Sequence, residues 1–466
     1  MSTRRERDTL GEVAVPEDAL YGAQTARAVE NFPISGLRPF PAFVRATVLV
    51  KKAAAVANAE AGRLPKDLRD AIVAACDEIL AGTHLDQFVV DVFQAGAGTS
   101  HNMNANEVIA NRANEILAAG KRGEYAKVNP NDHVNMAQST NDVTPTAIRL
   151  ALVDLTKPVI DELEKLSDAF AAKAKEYAST VKPGRTHLQD AVPITFGQEF
   201  GGWAARMKSA AARLKGARVE LCELGIGGTA AGTGLNADPE FRGRVCRSLA
   251  QWTGEPIVPA PDLFASMQST ASFVRISSGM RTAAIELSSI ANDIRLMVSG
   301  PRTGFGELIL PTVQPGSSIM PGKVNPSIAE MVDQVCYQVI GNDTAVMLGA
   351  QAGQLELNVM MPGMNFALCF SATILANATR VFRTKAIEGM KVDEARAQEH
   401  VDSSPSLIVT ALAPHVGYAK AAALVKRALA ERRPLFDVAL EENVLPAADL
   451  KRVLDPLPMT KGGVQS

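Results

Sequence analysis

"FVRISSGMRTAAIELSSIANDIRLM", residues 273–297, decides the architecture. Phe273, Ile276, Met280, Ala283, Leu287, Ile290, Ile294 and Met297 recur at alternating steps of three and four. That is a heptad seam, the pattern of a long helix buried along one stripe. A second seam runs through Leu152, Leu155, Val159, Leu163, Leu166 and Phe170, with Pro158 inside it. A kink or a helix start is expected at that proline. At 1.5 Å per residue, a helix of about 30 residues reaches roughly 45 Å. Helices of that length predict a bundle, and one whose seams are buried between subunits.

Outward from the seams, long helices are expected over 196–224, 326–350 and 363–390, which makes five in a mainly α protein. Shorter helices fit 40–62, 66–82 and 102–120, each ending near a glycine. The stretch 124–145 is rich in Asn, Asp, Ser, Thr and Pro and reads as a long loop. Three domains follow: a mostly helical 1–140, a central five-helix bundle at 141–390, and a small helical domain at 391–466, where the pattern shortens and proline returns. No short-period repeat is visible.

Composition narrows the function classes. Of 466 residues, 47% are hydrophobic and 21% charged, an ordinary globular mix, while aromatics are only 5%. A net charge of −2 gives no electrostatic reason to expect nucleic acid or an anionic membrane as partner. The five cysteines are scattered without a C-x-x-C pair, which argues against a disulfide framework and fits a reducing compartment. The N-terminal "MSTRRERDTLGEV" has charge but no apolar core of a secretory signal, and apolar runs are interrupted before about 18 residues. A cytoplasmic protein is expected.

Four polar stretches carry candidate chemistry. "GIGGTA" (225–230) matches a dinucleotide loop in spacing only. What precedes it is charged and helix-like, so a glycine-rich connection is the better reading. "QSTND" (138–142) reads first as a helix cap, and the same geometry offers free N–H groups and a favourable dipole end to a carboxylate. "GAGTSHNMN" (96–104) offers a similar mixture around Thr99. In "KPGRTHLQD" (182–190), Thr186 stands beside His187 in a turn before a helix pattern; a lone histidine is usually structural, but a hydroxyl beside an imidazole can hold an anion. No two of the six histidines have metal-ligand spacing.

A fifth stretch is "GSSIMPGKVNP" (316–326), a polar loop between helical segments that carries one cation, Lys323. Its bland reading is a disordered surface loop. Its spacing, however, resembles the G-S-S-x-x-P-x-K-x-N signature of the aspartase/fumarase superfamily. "GAGTSHNMNANEV", "NPNDHVNMAQSTNDV", "GRTHLQDAVPITFGQEF", "GGTAAGTGLN", "SGPRTGFGEL" and "AGQLELNVMMP" extend the resemblance over nearly the whole chain.

The resemblance implies a three-domain fold whose central helices form a multi-helix core in a homotetramer, each active site taking loops from three subunits. It implies reversible elimination that releases fumarate through an aci-carboxylate, with Ser317 as the base on a mobile loop. Thr99, Ser139, Thr140, Asn141, Thr186, His187, Ser318, Lys323 and Asn325 would line the site, His187 also being the first alternative as base. No cofactor is required by this chemistry, and divalent-metal activation is left open. Asn129 in "NPND" and Thr140 in "QSTND" resemble the aspartase branch, where fumarases usually carry His and Ser. "MMPGM" (360–364) departs from the usual aspartase text. Aspartate deamination is therefore expected ahead of malate dehydration, another amino dicarboxylate or a non-catalytic structural role. The expected partner is a small dicarboxylate, not nucleic acid or membrane.

Overall fold

The structure, a computed structural model, describes residues 2–463. The chain opens with an antiparallel hairpin, β1 (Thr3–Asp8) and β2 (Gly11–Pro16), where a mostly helical start is expected from sequence. Arg4 on β1 donates to the carbonyls of Pro16, Ala19 and Tyr21, which fastens the hairpin to the chain that follows it. Next comes α1 (Ala23–Asn31), which the sequence reading does not anticipate, and then α2 (Pro41–Glu60), α3 (Lys66–Leu80) and α4 (Thr99–Ile116), close to the three predicted helices. The polar stretch after them holds a single π turn, Pro130–Val134.

The middle of the chain is α5 (Thr140–Glu176), a hairpin of β3 (Val181–Thr186) and β4 (Gln189–Thr195), and α6 (Phe196–Val219). Then follow β5 (Glu223–Leu224), α7 (Phe241–Thr253), β6 (Val258–Pro259), α8 (Leu263–Gln268) and α9 (Ala271–Met297). After β7 (Leu308–Ile309) come α10 (Ser327–Gln351), α11 (Met361–Phe382) and β8 (Lys391–Val392). The C-terminal part holds α12 (Glu394–Ser403), α13 (Pro405–Val409), α14 (Ala413–Val416), α15 (Tyr418–Glu431), α16 (Leu435–Glu441), α17 (Ala447–Val453) and α18 (Pro456–Met459). The protein is mainly α, as its sequence predicts.

Two compact units emerge. One comprises residues 1–161, 211–284 and 336–376; the other comprises 162–210, 285–335 and 377–466. The boundaries fall inside α5, α6, α9, α10 and α11, so each of these long helices gives one part to each unit.

Both seams are buried apart from half-buried Leu155, but not in the way expected. Seven of the eight residues from Phe273 to Ile294 and on to Met297 have no exposed surface, and Met297 is 5% exposed. The single chain already covers this stripe, so it is not a surface awaiting a second subunit. No helix starts at Pro158, because α5 runs through it. Pro158 and Asp154, whose carbonyl loses its partner there, both lie on the exposed side, where water can replace the missing bond.

In the first unit, Val44, Val48, Ile72, Ile79, Val108 and Ile109 belong to one apolar core. Through this core runs α4, whose buried side chains include Asn102, Asn104, Asn106, Glu107, Asn111 and Asn114. A buried amide costs free energy unless it is hydrogen-bonded. Several of these bonds fasten loops. Asn104 joins Gln87 and Val89, Asn111 donates to Leu20, and Asn114 joins Lys127 and Val128. Glu107 accepts the N–H groups of Gly22, Gln24 and Thr25 at the start of α1. In the second unit, Leu412, Leu424, Leu435, Val438 and Leu450 form a separate C-terminal core.

Candidate active site

The "QSTND" stretch forms the start of α5. The Ser139 hydroxyl accepts the Asn141 N–H at 3.2 Å, and the Asp142 carboxylate accepts the Ser139 N–H at 2.9 Å. This is a reciprocal cap, so the capping reading is correct in full. Asp142 is completely buried, and its second oxygen accepts the N–H groups of Gly227 and Thr229 at 3.0 and 2.9 Å. Asn141 donates to the Ala230 carbonyl at 2.7 Å. The glycine-rich stretch is therefore a connection that braces the start of α5.

Behind this cap lies a buried amide cluster. Asn102 donates to the Thr140 hydroxyl at 3.1 Å and to Asn135 at 3.2 Å. Lys51 donates to Asn135 at 2.9 Å and to Gln138 at 3.0 Å. Burial pushes the Lys51 ammonium down to about 7, against the pull of the Asp142 charge. Burial likewise pushes Asp142 up to about 6, against the N–H groups of Ser139, Thr229 and Gly227. His101 is stacked on Phe43 with ring centres 4.3 Å apart, and burial drives it down to about 3, so it is neutral packing.

Thr99 begins α4 directly after Gly98, which has φ +88° and closely approaches Thr144. The Thr99 side chain is exposed and opens onto a cleft of about 500 Å³ lined also by Asp8, Arg27 and Ser100. Thus Ser139, Thr140 and Asn141 are brought together, and Asn102 ties them to the helix that begins at Thr99. Asn129 caps the π turn, its amide oxygen accepting the N–H groups of Asn131 and Asp132.

The second unit holds the other candidates. Thr186 and His187 occupy the exposed tip of the β3–β4 hairpin rather than a simple turn before a helix. Gly184 is required there, because a Cβ would lie 2.5 Å from the Val192 carbonyl. Arg185, just before the tip, donates to Glu307 at 2.6 and 3.1 Å. Glu307 is completely buried; burial alone would raise its carboxyl, but Arg185, Lys182 and His400 outweigh this and hold it below its ordinary value.

The 316–326 stretch is a loop closed on itself. Gly316 N–H donates to the Lys323 carbonyl at 2.9 Å, and Asn325 donates to the Gly316 carbonyl at 2.7 Å. The Ser317 oxygen accepts two N–H groups, from Ile319 at 3.2 Å and Met320 at 3.0 Å. Ser318 and Lys323 are exposed, whereas Ser317 and Asn325 are half-buried. Among the described residues, no hydrogen bond joins this loop to Thr186 or His187.

Sequence reasoning missed Asp142 and Glu307. The S-x-x-D spacing could have signalled the first. Nothing local signals the second, whose partner Arg185 lies 122 residues away.

Comparison with known proteins adds to this geometry. Residues 11–341 match a family model described as "Lyase", and residues 408–461 match "Fumarase C C-terminus". The chain belongs to this lyase family, which its sequence identifies as the aspartase/fumarase superfamily. It is 46% identical to an aspartate ammonia-lyase of Bacillus subtilis over 99% of its own length and 97% of that protein's. It is also 46% identical to a class II fumarate hydratase of Xylella fastidiosa, over 99% and 96% of the two chains. Among solved structures, "fumarate lyase:delta crystallin" from Brucella melitensis, in a structure described as bound to cobalt, superimposes with a TM-score of 0.95 at 49% identity, covering 98% of this chain and 100% of that one. Overall identity therefore gives the lyase family but does not separate the aspartase from the fumarase among its members.

Proposed function

We propose that this lyase is an aspartate ammonia-lyase, a carbon–nitrogen lyase that converts L-aspartate reversibly to fumarate and ammonia. The observation that carries the elimination chemistry is the pair of backbone N–H groups directed at the Ser317 oxygen. A serine hydroxyl is a poor base, but two N–H donors stabilise its alkoxide. In this reading Ser317 takes the proton from the carbon beside one carboxylate. The electron pair moves into that carboxylate, giving an aci-carboxylate dianion, and ammonia leaves as the pair returns. Lys323, Asn325 and Ser318 then serve one carboxylate, while Ser139, Thr140, Asn141 and Thr99 offer hydroxyl and amide donors at two helix starts. Thr186 and His187 complete the site.

Support for aspartate over malate comes from Asn129 and Thr140. The Thr140 hydroxyl already accepts from Asn102 and so presents its proton outward. The reading needs no cofactor. It includes a cytoplasmic location, three domains at 1–140, 141–390 and 391–466, and a homotetramer whose sites are shared among three subunits. Exposed Tyr337, Met347, Leu348 and Met360, together with an apolar groove of about 890 Å³ that includes Leu348, Met360 and Phe366, favour assembly. No helix among the described residues is long and apolar enough to cross a membrane.

Fumarate absorbance in the ultraviolet tests the choice. L-aspartate is expected to give fumarate and L-malate little; faster turnover of malate makes the protein a fumarate hydratase instead.

A further inference from the structure

The tip bearing Thr186 and His187 has an unusual backbone. His187 and Leu188 have φ of 55° and 58°, so two successive side-chain-bearing residues are left-handed. Hairpin turns of this kind normally use Asn-Gly or glycine, because a Cβ is disfavoured there. A non-glycine pair persists only where the surroundings hold it.

Both strands are held just beside the tip. On β3, Arg185 grips the buried Glu307, and His400 of α12 contacts the same carboxylate through Nδ1 at 2.8 Å. The Arg185 guanidinium also lies 4.4 Å from the centre of the Phe305 ring. On β4, the Ser404 hydroxyl donates to Asp190 at 2.6 Å. Ser404 is buried and sits between α12, which it ends, and α13, which it begins. α12 packs on β3 and α13 on β4. The end of α12 therefore reaches both sides of one strained turn.

We propose that Ser404 and His400, acting through Asp190 and Glu307, are positioning residues that clamp the Thr186–His187 turn in the form that receives a substrate carboxylate. This rests on the reading that the turn lines the substrate site. The clamp is made of side-chain bonds to carboxylates, which are charge-assisted and directional. Losing one frees the turn to relax toward an ordinary backbone, so substrate must then restore the bound form.

The test uses the full-length protein and whichever of L-aspartate and L-malate it turns over. Ser404→Ala and Asp190→Ala are each expected to raise KM about tenfold or more, as for loss of one charge-assisted bond. kcat should change less than KM, and Tm should hold. The double variant should do no more than either single one, since both remove the same bond. An unchanged KM, or two effects that multiply, overturns the clamp. If wild-type protein acts on neither substrate, the functional reading fails by itself. Hydrogen exchange at amides 186–190 still decides the clamp: faster exchange in Ser404→Ala sustains it, and unchanged exchange overturns it.

Discussion

The start of α5 and the 316–326 loop are both polar, and both carry candidate site residues, yet they are built in opposite ways. At the start of α5, Asp142 is buried and accepts three backbone N–H groups, and a cluster around Lys51, Asn102 and Asn135 supports it. Its polar groups are tied largely to partners within the same unit. The loop relies on bonds within itself: Gly316 to Lys323, Asn325 to Gly316, and Ile319 and Met320 to Ser317. A buried polar network is costly to leave incomplete, so it fixes geometry. A self-closed exposed loop can move as a unit and keep its internal bonds. Under the proposed function, two tasks would thereby be separated: a prebuilt seat for a carboxylate at the start of α5, and a carrier in the loop for a base whose N–H donors are already in place.

Substitutions sharpen that contrast. The largest effect is expected in the loop. Ser317→Ala should lower kcat by several orders of magnitude with little change in Tm, because only the base is lost. Lys323→Ala should chiefly raise KM, by a loss of roughly 2–5 kcal/mol of binding. A Tm drop in either variant, seen by calorimetry, would mean that the loop supports the fold as well.

At the start of α5 the order reverses. Asp142→Ala leaves two buried N–H groups and one half-buried one without their acceptor. Stability should fall by roughly 3 kcal/mol, since an unmade buried bond costs about 1–3 kcal/mol. Urea unfolding measures this, and an unchanged midpoint would show that the seat is less rigid than its bonding implies.

The last effect is a slope with pH. Lys51 falls to about 7 in the fold from an ordinary value of 10.5. Below 7 both folded and unfolded chains carry the proton, and the full penalty of burying it applies. Between 7 and 10.5 the unfolded chain binds a proton that the folded one lacks, so stability rises with pH across this window. Asp142, pushed up only to about 6, has finished titrating before the window opens. Lys51→Met should flatten the slope, which is at most about 1.4 kcal/mol per pH unit for one proton. Unfolding free energies at several pH values check it, and equal slopes would place the charge of Lys51 elsewhere.

The class of fold was legible in the sequence, because a heptad seam repeats every turn or two and needs no distant information. Helix positions followed, and so did the helix cap at "QSTND" and the loop at "GSSIMPGKVNP", whose internal bonds only the structure shows. The strands were not legible. β1–β2 and β3–β4 are short, and "RERDTLGEV" and "GRTHLQD" are too polar to give a two-residue alternation. The expected role of the long seam was also reversed: Phe273 to Met297 is covered by the chain's own packing, and apolar surface remains instead at Tyr337, Met347 and Leu348.

By itself, then, the sequence determined what local chemistry can encode, namely period, caps and breakers, and it carried the motifs that identify the lyase family. Only the tertiary structure decided the pairing of Arg185 with Glu307, of Asp142 with the glycine-rich connection, and of Ser404 with Asp190. The reason is physical. A buried charge must find a partner, but sequence spacing does not say which one when the two lie 85 to 214 residues apart.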